Sequence, residues 1–155
     1  MVQIRHFQDS DFSELLKIDR ACFEPGIAYD EVALDYFVRQ IYSHTLVLVI
    51  DSKIAGFGIA AISRHRARRP TGHIITLDLL ERVQGQGHGR SLLRRLEAKL
   101  EQDGAAEIVL EVDARNTQAI GFYQKMGYLE KQRLRNYYGT GKDALRMGRL
   151  LEGQT

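Results

Sequence analysis

The 155-residue chain has few of the residues that build covalent or metal-bound frameworks. It contains one cysteine, Cys22, two prolines and no tryptophan. A single cysteine excludes an internal disulfide framework and a cysteine-rich metal site. No apolar run approaches the roughly 20 residues that cross a bilayer, and the segment MVQIRHFQDSDF lacks the pattern of a secretory signal. We therefore expect a cytoplasmic protein that has no membrane partner and no metal.

An excess of charge of one sign is also missing. The formal net charge is only +2, which makes nucleic acid an unlikely partner on global grounds. One local run, RHRARR at 64–69, carries four arginines. It is interpreted as a solvated loop between strands, or alternatively as a patch for an acidic partner or for ligand phosphates. The length and the ordinary balance of apolar and charged residues predict a single domain spanning residues 1–155.

Hydrophobic periodicity predicts the element order β-α-α-β-β-β-α-β-α-β-β. The predicted strands are 2–5, 45–50, 54–62, 73–80, 107–112, 128–135 and 143–151. The predicted helices run from Asp9 or Ser10 to about Phe23, from Asp30 to about Tyr42, from the 84–90 loop to about Gln102, and from Asn116 to Gly127. This order predicts an α+β or mixed α/β domain, with about four helices against a largely antiparallel sheet of about six or seven strands.

The most unusual stretch is QGQGHGRS at 84–91, where three glycines occupy alternate positions just before a helix. Glycine loses more conformational freedom on folding than any other residue, so such a cluster indicates either close approach of a ligand or tight packing. The stretch lacks the Lys-Ser or Lys-Thr pair of a P-loop and the third glycine of a dinucleotide fingerprint. A helix start nevertheless offers free N–H groups and partial positive charge, which suit a phosphate.

Gln84, Gly87 and Gly89 fit the pattern Q-x-x-G-x-G, which resembles the pyrophosphate loop of the GNAT acetyltransferase superfamily. The flanking segments GHIITLDLL, LEVDARNTQAIGFYQKMGY and NYYGTGKDALRM are similar to segments of protein N-terminal acetyltransferases, of the RimI type and the Ard1-related type. The resemblance covers roughly residues 72–150 and is weaker over the first 70. It implies a GNAT-like fold and an acetyl-CoA-dependent N-acetyltransferase without a metal.

The same resemblance implies how the cofactor is held. The pyrophosphate should contact the loop residues Gln84, Gly85, Gln86, Gly87, His88, Gly89 and Arg90. The pantetheine arm should pair with the backbone of the strand Leu77, Asp78 and Leu79 and contact Asn116, and a splayed strand there would free an N–H for the oxyanion. Asp78 departs from the small or apolar residues usual in the family, and is expected to be a substrate contact or a solvated residue.

Three residues are candidates for the chemistry. Glu111 stands in an apolar strand, where spacing alone favours an edge-strand glutamate facing water, whereas the resemblance implies a general base that acts through a water. His73 is an ordinary strand-start histidine by context, but the resemblance to Ard1-related proteins implies that it assists deprotonation. Tyr123 could be a core residue; the resemblance places it near the CoA sulfur, where it would mainly stabilise the thiolate, because a phenol near pKa 10 donates to a thiolate near 8.5 only uphill.

Tyrosines define the expected acceptor side. Tyr137 and Tyr138 resemble the paired tyrosines that hold the first residues of a peptide, and Tyr29 ends the acceptor-side turn FEPGIAY. The predicted acceptor is therefore a protein N-terminus, with a ribosomal protein as one candidate, although this turn lacks the tryptophan of RimI-type chains. The alternatives are an enzyme of the same fold acting on lysine side chains or small amines, and a non-catalytic acyl-CoA-binding module.

Overall fold

The computed structural model describes residues 1–64 and 69–151, and within them the elements follow the predicted order. The strands are β1 (Val2–His6), β2 (Ser43–Ile50), β3 (Lys53–Ser63), β4 (Thr71–Leu79), β5 (Glu107–Asp113), β6 (Leu129–Leu134) and β7 (Ala144–Leu150). The helices are α1 (Phe12–Cys22), α2 (Glu31–Arg39), α3 (His88–Gln102) and α4 (Thr117–Lys125). Residues 65–68 of the arginine-rich run lie outside the described residues, so its role stays a prediction.

One sheet contains all seven strands, in the order β1-β2-β3-β4-β5-β7-β6. Five of its six neighbouring pairs are antiparallel, and only β4 and β5 run parallel. β7 returns between β5 and β6, which makes β5 an interior strand. The predicted fold class, a largely antiparallel sheet with four helices, is confirmed.

Helices cover both faces of the sheet. On one face, Leu15 and Ile18 of α1 and Leu34 of α2 are buried with β-strand residues such as Phe57 and Ile59. On the other face, the apolar stripe of α3 is buried against the opposite side chains of β3, β4 and β5; this stripe consists of Leu92, Leu93, Leu96 and Leu100. The amphipathic helices thus bury their apolar sides against both faces of the sheet. The neighbouring strands β4 and β5 lie between the two helical layers.

The helix boundaries required two corrections. α2 ends at Arg39 rather than at about Tyr42, because the backbone of Gln40 is extended with ψ of 138°. A short 3₁₀ turn occupies Asp9–Asp11, so α1 begins at Phe12. The expected caps of the other helices are confirmed, since Asp30 accepts from the N–H of Ala33 at 2.8 Å and Asn116 from that of Ala119 at 3.1 Å. Among the described residues, no helix combines the length and apolar character that a bilayer crossing requires.

Candidate active site

The parallel pair of strands opens into a cleft. β4 and β5 are paired only over Thr71–His73 and Glu107–Val109. Further along, β4 stays paired with β3 and β5 stays paired with β7, so the two strands diverge and expose unpaired edges to each other. A cavity of about 610 Å³ occupies the opening, which is within the range of small-molecule sites. The divergence leaves backbone groups of β4 free, as the family resemblance implies for a splayed strand at this place.

The glycine-rich loop joins the end of β4 to the start of α3. Gly85 and Gly87 have φ of 76° and 86°, a left-handed conformation that only glycine adopts without strain. No heavy atom of the described residues lies within 4 Å of the place that a Cβ would take at either position. The conformation of the loop, rather than tight packing within the protein, therefore requires these glycines. Gln84 fastens the loop to β4 by donating from Nε2 to the carbonyl of Leu79 at 2.9 Å.

The same end of the cavity carries positive charge. The loop residues Gln84, Gly85, Gly87, Gly89 and Arg90 line the cavity here, and Lys125 of α4 also belongs to the cavity lining. Gln86 instead turns back and donates to the carbonyl of Arg82 at 3.3 Å. His88 is the first residue of α3, whose N-terminal N–H groups and dipole add to the two cationic side chains. This combination suits the phosphates of a ligand.

A carboxylate occupies the base of the splay. Glu111 belongs to the interior strand β5 and its side chain is only 8% exposed, so the interpretation as an edge-strand glutamate facing water is wrong. Its Oε1 lies 2.7 Å from Nε2 of His73 and 3.5 Å from the hydroxyl of Tyr137. Its Oε2 accepts a hydrogen bond from Nε of Arg146 at 3.0 Å. Glu111 also lines the cavity, which makes it a charged group aimed at any bound molecule.

Opposing effects act on the protonation of this carboxylate. Burial raises the pKa of Glu111, while the hydrogen bonds and charges of His73 and Arg146 lower it, and the balance places the pKa below its usual value. Glu111 is therefore ionised at neutral pH. A buried carboxylate that is held ionised by two cationic or potentially cationic partners is typical of functional sites.

The three tyrosines expected on the acceptor side lie in two loops beside the cavity. The rings of Tyr137 and Tyr138 pack edge to face with centroids 4.9 Å apart, in the loop that joins β6 to β7. Tyr29 donates from its hydroxyl to the carbonyl of Ile75 at 3.2 Å, so the α1–α2 loop is attached to β4. Tyr29 and Tyr138 line the cavity together with Glu111, and Tyr137, which contacts Glu111, is 49% exposed. The structure therefore brings these residues together with Glu111.

α4 supplies the remaining predicted residues. Tyr123 is 9% exposed and lines the cavity, and its ring packs against Phe122 and Tyr128 at centroid distances of 5.2 and 5.8 Å. Burial raises the pKa of Tyr123, so its hydroxyl keeps its proton and can donate a hydrogen bond. Asn116 lines the cavity at the start of α4, where its side chain also caps the helix.

The side chain of Asp78 is buried rather than solvated. Its side chain is 1% exposed, so the expectation of a solvated residue is wrong. Its carboxyl accepts from the hydroxyl of Thr76 and contacts the carboxyl of Asp19 on α1, whereas its neighbours Leu77 and Leu79 line the cavity. A β-bulge between β3 and β4 explains the orientation, because Ile59 pairs with Thr76 but Ala60 pairs with Ile74.

Sequence reasoning did not single out two charged residues of the cavity region. Arg146 stands directly opposite Glu111 in the register of β5 with β7. The signal was an arginine in β7 that could pair with the carboxylate in β5, and it becomes readable only once the pairing of the two strands is known. Lys125 lies on the same helix as Tyr123, and a lysine in a last helical turn is also expected from the helix dipole alone.

Comparisons with known proteins agree with this arrangement. The model of the acetyltransferase (GNAT) family matches residues 11–128. The chain is 30% identical to N-alpha-acetyltransferase 30 of Schizosaccharomyces pombe, over 94% of both chains. Its fold superposes on the ribosomal-protein-S18-alanine N-acetyltransferase of Escherichia coli with a TM-score of 0.82 and 25% identity, over 100% of this chain and 98% of that one. It also superposes on Arabidopsis thaliana NAA60 in complex with acetyl-CoA, with a TM-score of 0.84 and 21% identity, over 99% and 100%.

The loop, the two cations and the splayed strand fit a CoA ester, because they offer N–H groups and positive charge to its phosphates and free backbone groups to its amide-containing arm. Among the described residues, no group of three or more His, Cys, Asp or Glu side chains is arranged to hold a metal ion. The family match covers most of the chain and includes the splayed strands and the glycine-rich loop. The chain thus belongs to the GNAT family of acetyltransferases and is an N-acetyltransferase that uses acetyl-CoA.

Proposed function

We propose that this enzyme acetylates the N-terminal α-amino group of proteins, and that Glu111 and His73 together accept the proton that the amine loses. The observation that carries the proposal is the position of Glu111, which faces the cavity and contacts both His73 and Tyr137 of the acceptor-side loop. The Schizosaccharomyces pombe relative is named an N-alpha-acetyltransferase and the Escherichia coli structure a ribosomal-protein-S18-alanine N-acetyltransferase, and both names support this acceptor.

Different residues around the cavity would bind acetyl-CoA and the acceptor. Acetyl-CoA supplies an acetyl group activated as a thioester. The 84–90 loop, Arg90 and Lys125 would hold its phosphates. The unpaired edge of β4 from residue 74 to residue 79, with Asn116 opposite, would hold its arm. The free N–H groups of that edge would also stabilise an oxyanion.

The pKa of the acceptor amine decides which amines can react. An α-amino group with a pKa of about 8 is neutral in roughly one molecule in ten at pH 7, while a lysine with a pKa of about 10.4 is neutral in roughly one in 2500. The pKa of Glu111 is lowered, so this carboxylate is a weak base on its own. A weak base favours the acceptor that ionises more easily, which is the N-terminal amine.

The contact between His73 and Glu111 strengthens the base. An imidazole, with a pKa ordinarily near 6.5, is a better proton acceptor than a carboxylate. Because an ionised carboxylate only accepts, Nε2–H of His73 donates to Oε1 of Glu111 at 2.7 Å, which leaves Nδ1 of the imidazole free to accept the proton of the amine. Glu111 in addition attracts the ammonium form of the acceptor.

A peptide-library acetylation assay read by mass spectrometry tests the proposal. The library pairs each peptide that has a free N-terminus and an internal lysine with a copy that has a blocked N-terminus. It includes the N-terminal segment of ribosomal protein S18, the acceptor in the name of the Escherichia coli enzyme. We expect acetylation of free N-termini and none of blocked ones. Equal acetylation of blocked peptides would assign the enzyme to lysine side chains, and acetylation of small amines alone would exclude a peptide acceptor.

Two finer parts of the proposal are the cellular location and the range of acceptors. We place the enzyme in the cytoplasm, where its single cysteine stays reduced and nascent proteins expose their N-termini. The acceptor-side turn contains Phe23, Ile27 and Tyr29 in the cavity lining. These apolar side chains favour acceptors whose first residue is apolar. The same peptide library ranks the acceptors by their first residue.

A further inference from the structure

Two carboxyl groups are buried against each other behind the strand that faces the cofactor cavity. Asp19 of α1 is 0% exposed and Asp78 of β4 is 1% exposed. The two side chains are close enough that Asp19 raises the pKa of Asp78, and the mechanism described above uses neither side chain. Burying one carboxylate without a cationic partner is already costly, and burying two in contact is more so.

The hydrogen bonds of the pair leave two oxygens without a donor. Asp19 Oδ2 accepts from the N–H of Tyr29 at 2.6 Å, and Asp78 Oδ1 accepts from the hydroxyl of Thr76. Asp19 Oδ1 and Asp78 Oδ2 are buried and receive no hydrogen bond from the described residues. An ionised carboxylate only accepts hydrogen bonds, so two ionised groups cannot bond to each other. One proton placed between them would satisfy both sides.

We propose that Asp19 and Asp78 share a single proton, and that this pair positions the α1–α2 loop, with Tyr29, as the acceptor-side wall of the cleft. The pair acts at one end of a short chain of contacts. Asp19 holds the backbone of Tyr29, and the hydroxyl of Tyr29 binds the carbonyl of Ile75 on the splayed strand. The positioning part of this inference rests on the proposed acceptor side, while the shared proton does not.

Within residues 1–64 and 69–151, the other titratable groups that interact with the pair add no positive charge. They are Cys22 of α1, Tyr29 of the α1–α2 loop and Tyr123 of α4. Burial is the largest cause that raises the pKa of each of them, to about 12 for Cys22, so all three are neutral at physiological pH. Burial first, and then the contact with Asp19, also raises the pKa of Asp78 well above its usual value. These neutral surroundings favour retention of one proton by the pair.

The shared proton has a measurable consequence for stability. An unfolded aspartate has a pKa near 3.9 and loses its proton above about pH 4, whereas the folded pair keeps one. The stabilisation is therefore complete below the unfolded pKa and is lost as the pH rises through the folded pKa. Over that interval folding takes up one proton, so the unfolding equilibrium constant rises about tenfold per pH unit from this group alone.

Urea unfolding of the wild type and of Asp78→Asn at pH 5, 6, 7 and 8 tests the shared proton. The amide replaces the protonated carboxyl without titrating, and its NH₂ group can donate to Asp19. We expect the ratio of the wild-type to the variant unfolding constant to rise about tenfold per pH unit from pH 5 until the folded pKa is reached. Asp35→Asn, on the exposed side of α2 beside Arg39, is the matched control and should give a far smaller trend.

A ratio that stays constant from pH 5 to pH 8 would mean that the pair holds no extra proton, and would overturn the proposal. If Asp78→Asn does not fold, Asp19→Asn places the amide on the other partner and gives the same expectation. Carboxyl ¹³C NMR of the aspartate-labelled wild type needs no variant at all. One resonance at neutral pH should keep the shift of a protonated carboxyl, and its absence would also reject the shared proton.

The positioning role is tested by separating the kinetics of the two substrates. Asp19→Ala removes the acceptor of the Tyr29 N–H and should raise the peptide KM several-fold more than the acetyl-CoA KM. Asp19→Asn keeps an oxygen for that N–H and should restore part of the peptide affinity. Equal effects of the two variants, or an effect confined to acetyl-CoA, would reject the positioning role. Loss of peptide acetylation in the wild type would instead reject the proposed function and leave the unfolding result untouched.

Discussion

The side chains of His73 and Glu111 are in contact at the place where strands β4 and β5 separate. His73 is the last residue of β4 that pairs with β5, and its Nε2 lies 2.7 Å from Oε1 of Glu111. Val109, the pairing partner of His73, is two residues before Glu111 on the same strand and therefore points to the same face. The parallel pairing thus places a titratable pair at the closed end of the cleft, where an amine and a thioester would meet.

Glu111→Gln should lower kcat by about 10²- to 10⁴-fold, the usual range for loss of a general base. The acetyl-CoA KM should change little, because the carboxylate faces the acceptor side. Raising the pH should recover part of the rate, since more of an N-terminal amine is then neutral without help. Steady-state kinetics across pH 6 to 9 provides the measurement.

Glu107→Gln is a matched control for this prediction. It removes a carboxylate from the same strand, where Glu107 pairs with Lys131 instead of lining the cavity. Its kcat should stay near that of the wild type. A Glu111→Gln enzyme with a wild-type pH–rate profile would contradict the role of Glu111. In the double variant with His73→Ala, a loss close to that of Glu111→Gln alone would show that the pair acts as one unit.

The second prediction concerns Arg146 and its effect on the pKa of Glu111. Its hydrogen bond to Oε2 and its charge lower the pKa of Glu111, so Arg146→Gln should raise that pKa. Glu111 must be ionised to accept a proton, and the acidic limb of the kcat/KM profile should therefore move to higher pH. Arg146→Lys retains the charge and should move the limb less. A limb that shifts to lower pH, or does not move, would show that Arg146 does not govern this titration.

Much of the fold was predictable because the amphipathic patterns are strong. The capping residues Asp30 and Asn116 were identified from local sequence alone, and both make the expected hydrogen bonds. The partners of Glu111 were harder to predict. Arg146 is 35 residues away in sequence and becomes a neighbour only because β7 inserts between β5 and β6. Pairing of distant strands is a tertiary property that local propensity does not contain.

A single extra residue in β4 makes the direction of the Asp78 side chain unpredictable from strand alternation. Strict alternation along β4 would place Asp78 on the same face as Ile74, which packs against α3. The bulge at Ile75 reverses the alternation, so Leu77 and Leu79 take the α3 side and Asp78 turns toward Asp19 of α1. A bulge leaves little trace in one sequence, and its effect on side-chain direction appears only in the structure.

The third prediction concerns the glycine-rich loop. It distinguishes the effect of backbone strain on stability from the effect of ligand contact on CoA binding. Gly87 and Gly104 both have positive φ, of 86° and 94°, and neither has a heavy atom of the described residues within 4 Å of an added Cβ. Alanine should therefore strain both positions to a similar degree, by about 1 kcal/mol. Only Gly87→Ala should also weaken CoA binding, because Gly87 lines the cavity while Gly104 follows the far end of α3.

Isothermal titration calorimetry with CoA and thermal unfolding together test this pair of variants. We expect similar losses of Tm and a lower CoA affinity in Gly87→Ala alone. Equal CoA affinities in the two folded variants would show that the loop does not contact the cofactor.

Tyr123 gives the last prediction, which concerns the thiolate that leaves. Burial raises the pKa of Tyr123, so its phenol stays protonated across the assay range and acts as a hydrogen-bond donor rather than as a titrating acid. A hydrogen bond to a charged group contributes about 1.5–3 kcal/mol, so Tyr123→Phe should lower kcat roughly ten- to a hundredfold. The basic limb of the pH–rate profile should stay in place, because no titrating group has been removed. Tyr128→Phe is the control: it removes another buried hydroxyl, which donates to Glu97 at 2.6 Å, and should lower Tm with little effect on kcat. If the basic limb disappears in Tyr123→Phe, the phenol does titrate during turnover and donates its proton to the thiolate.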